Sequence, residues 1–483
     1  MTDQPVTAIP RPVQIDAIPN RLEPNAIGVA QDTIIGLASS APAATIAATL
    51  AALAATAAYG GGPVIILCGI PMLILANCYR RLNLWNANCG ASFEWVGRAI
   101  NPYLGFLVGW MMLAGCLVGT ISVVVVLSPA VLAVFGASAG STWPNILLST
   151  VVTIIMLTIA VVGIKLTART QVAIAVVEYV ILIGFAILAF VWLLGHHPGT
   201  YPITKGWLSL SGINGKGDLA AGLLIAVFMY TGWDATVYVN EEVKHRRVNP
   251  GRAAVFAVAL LVIMYTLPQV AFQGVVSPAK LQANASSALV FVADALGGSG
   301  WAKVMALSLA LSVIATTGTG IVILARILYG MAGHRVLPSG LGNISPRYST
   351  PVMASVLVGL VFVAIIWVYL LSSSVANVFT DLINVTGVLY ASFYSLTALS
   401  AIVYYRRRVL SDAFDAVVIG ILPFAAAGFL AWIIVRTLQT APAAQLWTLA
   451  GVGAAGVLLM LIARFVMRSS FFQIPRKSAA GKS

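Results

Sequence analysis

Charge is scarce in this chain. Among 483 residues there are 14 Asp and Glu and 27 Lys and Arg, so charged residues make up 8%, where a soluble protein holds about 25%. That deficit excludes an ordinary soluble domain. Cysteine is also rare: Cys68, Cys78, Cys89 and Cys116 show no metal-ligand spacing and sit in or beside apolar segments. They read as small buried hydrophobes. The four histidines lie in loops, and no Ser/His/Asp set, metal-ligand cluster or phosphate loop is placed for catalysis. An enzyme is therefore not expected, and neither a cofactor nor a metal is called for. No cleavable signal peptide is expected, because residues 1–24 are polar and punctuated by prolines.

What the chain has instead is hydrophobicity: 60% of its residues are apolar, and its mean hydropathy is +0.97. Apolar segments recur at about 27–56, 62–79, 102–135, 144–164, 170–195, 217–243, 251–275, 302–332, 351–371, 374–403, 413–436 and 442–466. Each approaches the ~20 residues needed to cross a ~30 Å hydrocarbon core. The fold class is therefore an all-α polytopic membrane protein with 12 transmembrane helices, whose termini lie on one side. If that side is cytoplasmic, only Lys205, Lys216, Lys280, Lys303 and Arg436 of the 27 Lys and Arg face outward, and the other 22 face inward. The positive-inside bias thus fixes the orientation and gives a multi-pass protein of the inner (plasma) membrane with cytoplasmic termini. The net charge of +13 is explained by topology, with some attraction to anionic lipid, and not by nucleic acid.

Spans one to five (25–200) lie over spans six to ten (201–410) as two units of five. An odd number per unit makes the repeat inverted, the organisation of many secondary transporters. Residues 411–468 add two further helices. Residues 1–24 read as a disordered cytoplasmic tail and 469–483 as a basic one. Two loops are more than connectors. Residues 83–98, with Trp85, Phe93 and Trp95, suggest a short amphipathic helix at the cytoplasmic rim, and residues 277–299 an external cap or partial helix.

Two hydrophobic runs are interrupted. The first break falls at Gly36-Leu-Ala-Ser39-Ser40-Ala41-Pro42 and the second at Tyr230-Thr-Gly232-Trp233-Asp234. Lipid offers no hydrogen bonds, so broken helices at membrane depth line cavities. Pro42 cannot donate, Gly36 tolerates non-helical angles, and freed N–H groups at a half-helix N-terminus suit a carboxylate. Ser39 and Ser40 add hydroxyl donors; a proline kink with tight packing is the plainer alternative. At the second break, carbonyls near Tyr230 and Gly232 would accept from an ammonium. Trp233 would close over the substrate there, and Asp234 is either part of the site or an interfacial acid.

Ionisable groups at membrane depth are functional by default. Glu178 sits mid-span, about 13 Å from the cytoplasmic end of its helix at ~1.5 Å per residue. It is the candidate for proton coupling. Asp32 lies one turn before Gly36 and would pair with a base or share that proton. Thr316 and Thr317 could ligate an ion or simply bond back along their helix. Glu241 and Glu242 read as gating salt bridges or as solvated charges.

The stretch Cys89-Gly90-Ala91-Ser92-Phe93-Glu94-Trp95-Val96-Gly97-Arg98, with Pro102-Tyr103-Leu-Gly105-Phe106-Leu-Val-Gly109-Trp110, resembles the entry to the third helix of amino acid–polyamine–organocation permeases. So does Tyr230–Asp234 with Glu241-Glu242 and Asn249-Pro250. Ala325-Arg326-Ile-Leu-Tyr329-Gly-Met331-Ala332, leading to Leu337-Pro338 and Pro351, is the third match. The resemblance covers about residues 25–410. It implies the five-plus-five fold of the bacterial leucine transporter, alternating access, and substrate contacts at both breaks. By position, Glu178 matches the site where some proton-coupled members carry lysine. Where the family usually shows two glycines near an Ile-Phe pair, this chain has Gly36 followed by Ala38, Ser39 and Ser40.

The expectation is an importer of an amino acid, coupled to protons, with sodium the less favoured ion. A polyamine or organic-cation transporter, an amino acid exchanger and, further off, an ion channel are the alternatives. The partners are a small amino acid or amine, a proton and the bilayer, with no nucleic acid. The sequence sets no oligomeric state.

Overall fold

The computed structural model describes residues 21–124, 127–135, 142–195, 197, 201, 203–213, 218–372 and 375–473. Lys216, most of the N-terminal tail and residues 474–483 lie outside the described residues. Apart from one isolated parallel bridge, Ile27 to Val243, everything regular among the described residues is helical.

The first predicted span is two half-helices, α1 (Val29–Ser39) and α2 (Pro42–Ala57), followed by α3 (Gly61–Trp85). Pro42 opens α2 at the position where a missing N–H costs nothing, and the alanine-rich run behind it propagates the helix. Next come α4 (Ser92–Ala99), α5 (Pro102–Val124), α6 (Leu127–Val134), α7 (Thr142–Val162) and α8 (Ile164–Leu194). The rim helix expected over 83–98 is thus shorter, because α3 runs on to Trp85.

The second half begins with α9 (Leu219–Met229), whose N-terminus is capped by the Asp218 carboxylate accepting from the Ala220 and Ala221 amides at 2.9 and 3.1 Å. After the Tyr230–Asp234 turn only α10 (Ala235–Tyr238) continues. The span expected to reach residue 243 therefore ends early in a short 3-10 turn at Asn240–Glu242. Then follow α11 (Asn249–Val275), α12 (Pro278–Ala283), α13 (Ala288–Gly297), α14 (Ser299–Gly333), α15 (Val352–Ser372), α16 (Val375–Ser411), α17 (Ala413–Asp415), α18 (Leu422–Thr440) and α19 (Ala443–Leu461). The 277–299 segment forms α12 and α13, as a partial-helix reading requires.

A helix occupies every predicted span. Among the described residues nine helical stretches are long and apolar enough to cross a membrane, and Leu219–Met229, Ala288–Gly297 and Val352–Val368 are shorter apolar helices. The α14 segment is the most enclosed and α19 the least, 83% against 11% buried over their most apolar windows. So α14, with α16 and α5 next, lies innermost, while α19 presents itself to its surroundings.

Candidate functional site

The first break lies at Ser40 and Ala41, where Ala41 takes left-handed angles (φ 47°, ψ 63°). Gly36, expected at the break, is inside α1. Its missing side chain serves packing: a Cβ there would meet Thr236 Cγ2 at 2.9 Å and the Trp233 carbonyl at 3.1 Å.

Backbone groups freed at a buried break need partners. The Ala43 amide donates to Glu178 Oε1 at 3.1 Å, and the Ala44 amide to Ser312 Oγ at 3.3 Å. The Ser40 carbonyl accepts from the Thr45 hydroxyl at 2.8 Å and the Tyr265 hydroxyl at 3.0 Å. The Thr316 hydroxyl donates to the Ala38 carbonyl at 2.8 Å. Glu178 therefore caps the N-terminus of α2, the place the sequence reserved for a substrate carboxylate. Its Oε2 is buried without a hydrogen-bond partner.

The second break is closed by its own turn. Thr231 N–H donates to Phe228 O at 2.9 Å and Ala235 N–H to Gly232 O at 3.0 Å. Gly232 has φ 99°, and a Cβ on it would lie 2.7 Å from the Ser39 carbonyl oxygen. The two breaks therefore touch, and only glycine fits where they meet.

Beside this junction lies a cavity lined by Ser39, Ser40, Ala41, Thr45, Cys116, Gly119, Thr120, Val123, Phe228, Thr231, Thr316 and Tyr390. No charged side chain is among them. Four of the hydroxyls are committed to main-chain carbonyls: Ser40 to Gly36, Thr45 to Ser40, Thr231 to Phe228 and Thr316 to Ala38.

Of the residues singled out from sequence, Ser39, Ser40, Ala41 and Thr316 line the cavity. The others stand elsewhere. The Tyr230 hydroxyl donates to Ile65 O at 3.1 Å, turning that side chain toward α3. Trp233 is fully buried between Tyr79 (ring centroids 4.9 Å apart) and Tyr394 (5.3 Å), so it is not poised as a lid over the cavity. Asp234 accepts from the Tyr238 hydroxyl and from the Tyr394 hydroxyl at 2.8 Å. It is interior rather than interfacial. Thr317 bonds back to Val313 O at 2.8 Å. Asp32 is fully buried, and among the described residues neither carboxylate oxygen has a hydrogen-bond partner and no base forms an ion pair with it.

Glu242 forms a two-pronged ion pair with Arg326, at 2.9 and 3.0 Å, and both side chains have zero exposure. Its carbonyl accepts from the Ala26 and Ile27 amides at 2.8 and 3.2 Å, which ties the lead into α1 to the segment after α10. Glu241 accepts from the Cys89 amide at 3.2 Å. Glu242 is thus not a solvated surface charge, while Glu241 is half-buried. Sequence reasoning missed Phe228, Tyr390 and the α5 wall of Cys116, Gly119, Thr120 and Val123. Their helical spacing was the available signal, hidden within a helix that is apolar throughout.

With the described residues helical apart from one bridge, and two abutting helix breaks beside a cavity, the fold is the leucine-transporter-like one. The chain matches the amino acid permease family over residues 32–475 and belongs to it. It is 22% identical to the gamma-aminobutyric acid permease of Bacillus subtilis over 346 residues, 69% of this chain and 70% of that one. It is 32% identical to the human Asc-type amino acid transporter 1 over 138 residues, 29% and 26% of the two chains. It is 30% identical to the human large neutral amino acids transporter small subunit 2 over 192 residues, 40% and 34%. The chain thus spans about a quarter to a third of those two human relatives. A crystal structure of a mutant manganese transporter from Eremococcus coleocola superposes with TM-score 0.57 at 12% identity, over 91% of this chain and 94% of that one. That likeness is one of fold. Among the described residues no three His, Cys, Asp or Glu side chains gather as metal ligands.

Proposed function

We propose that this protein is a secondary active transporter that imports an amino acid by alternating access, coupled to protons through Glu178. The observation that carries the reading is the meeting of the two breaks, Ser39 against Gly232, beside a neutral, hydroxyl-lined cavity. The relatives named above, a gamma-aminobutyric acid permease and two amino acid transporters, favour the same substrate class. The Ser39 hydroxyl and neighbouring groups of the first break hold the carboxylate, and carbonyls of the second break hold the ammonium. Repeats of residues 25–200 and 201–410 move against each other, with helices 411–468 outside them. Both termini are cytoplasmic on this reading, which the lysine and arginine distribution supports.

Glu178 suits coupling because it bonds the α2 N-terminus from α8, so a change in its protonation is felt at the break itself. Asp32, unpartnered on α1, is the second group able to take up a proton. The buried Glu242–Arg326 pair, with Glu241 beside it, closes the cytoplasmic route and must part when the protein opens inward.

The test is uptake of radiolabelled amino acids into proteoliposomes under an imposed pH gradient. Accumulation driven by inward proton flow is expected. Uptake that requires substrate inside would mark an exchanger, and non-saturable flux a channel. Cys116 offers a reporter, since it lines the cavity: bound substrate should slow its alkylation.

A further inference from the structure

We infer that the transported amino acid carries an uncharged side chain, and that α5 forms the wall against which this side chain rests. The inference rests on the amino acid reading above and narrows it. An amino acid brings a carboxylate and an ammonium that balance one another and hydrogen-bond to the two breaks. A lysine, arginine or glutamate side chain brings a third charge. Out of water that charge needs a partner, because an isolated buried ion is among the costliest groups to desolvate.

Among the described residues no such partner lines the cavity. Glu178 is held by the Ala43 amide, Asp234 by the Tyr238 and Tyr394 hydroxyls, and Glu242 by Arg326. Asp32 lies seven residues before Ser39 on α1, about 10 Å along the helix, and is not part of the lining. The hydroxyls do not replace a counter-ion either, since those of Ser40, Thr45, Thr231 and Thr316 already donate to carbonyls. What remains facing the space is neutral or apolar. Cys116, Gly119, Thr120 and Val123 recur along one face of α5 at helical spacing, with Phe228 and Tyr390 beside them. Val123 makes no side-chain hydrogen bond, so its replacement removes no polar contact.

The experiment is competition against uptake in proteoliposomes by alanine, serine, leucine, lysine, glutamate and putrescine, followed by the same panel on Val123→Asp and Val123→Asn. In the wild type the neutral amino acids should compete, and lysine, glutamate and putrescine should do so at least about tenfold more weakly. Val123→Asp should gain affinity for lysine about tenfold or more, while Val123→Asn should not. If Val123→Asp fails to fold, Thr120→Asp against Thr120→Asn makes the same comparison. Lysine, glutamate or putrescine competing as well as alanine in the wild type would overturn the inference while leaving transport of amines or amino acids intact. A folded aspartate variant without a gain for lysine would overturn the α5 wall. If none of the five amino acids competes, the amino acid reading itself fails, which is a separate result.

Discussion

The two helix breaks solve one physical problem in opposite ways. At the second, the freed backbone groups bond within the turn, from Phe228 to Ala235, and the shape is set by Gly232 at φ 99°. At the first, they are satisfied from a distance: Glu178 comes from α8, Tyr265 from α11, and Ser312 and Thr316 from α14. A break that closes on itself is a fixed corner. One held by three other helices must feel any movement of those helices, and any change of charge on the groups that hold it. On the proposed reading, coupling acts at the first break and the second stays rigid.

The largest effect should come from breaking the fixed corner. Gly232→Ala puts a side chain where the backbone angle alone costs about 1–3 kcal/mol, and its methyl would sit 2.7 Å from the Ser39 carbonyl. We expect loss of transport and a clear fall in melting temperature of the purified protein. A variant of wild-type stability and rate would mean that the breaks do not meet there.

The next largest effect is expected at Glu178. Glu178→Gln keeps an oxygen to accept from the Ala43 amide but removes the group that titrates. Binding of substrate, read by thermal shift, should survive, while accumulation driven by a pH gradient disappears. Asp234→Asn should do the reverse. It weakens the bonds from Tyr238 and Tyr394 at a cost of about 1–3 kcal/mol, yet leaves the pH dependence of the remaining uptake unchanged. Unaltered pH dependence in Glu178→Gln would defeat the coupling proposal.

A smaller effect separates two neighbouring hydroxyls. Ser40 Oγ already donates to Gly36 O at 3.1 Å, whereas Ser39 lines the cavity without such a bond in its own helix. Ser39→Ala should raise KM about tenfold, the value of one hydrogen bond to a charged group, and Ser40→Ala should raise it less. Equal effects would mean that both serines act only through packing.

How much of this was legible in the sequence follows the same division. The spans were readable because lipid imposes continuous apolar runs, and the breaks because Pro42 and Gly232 interrupt them. The partners were not. That Glu178 reaches the Ala43 amide, 135 residues away, is a property of packing, and nothing local in either segment announces it. Gly36 was read as part of the break because glycine tolerates non-helical angles, but tertiary contact with Thr236 and Trp233 uses it for close approach instead. Trp233 and Asp234 stood in the right motif yet turn toward Tyr79 and Tyr394, while Phe228 and Thr231 beside them face the cavity. A motif marks a corner, and the side of the corner that faces the cavity depends on helices elsewhere in the chain.

The least perturbing change tests whether the first break is held from outside. Ala41 is left-handed at φ 47°, a conformation that costs a non-glycine residue about 1–2 kcal/mol. Ala41→Gly relieves that strain but gives the unfolded chain more freedom to lose, which costs about 0.5–1 kcal/mol. The two nearly cancel, so stability should stay within about 1 kcal/mol of wild type. If the bonds from Glu178, Ser312 and Tyr265 define the break, transport should also be close to normal, because none of them involves the Ala41 side chain. A large loss of stability in Ala41→Gly would mean that the local backbone preference fixes this corner after all, and the contrast between the two breaks would collapse.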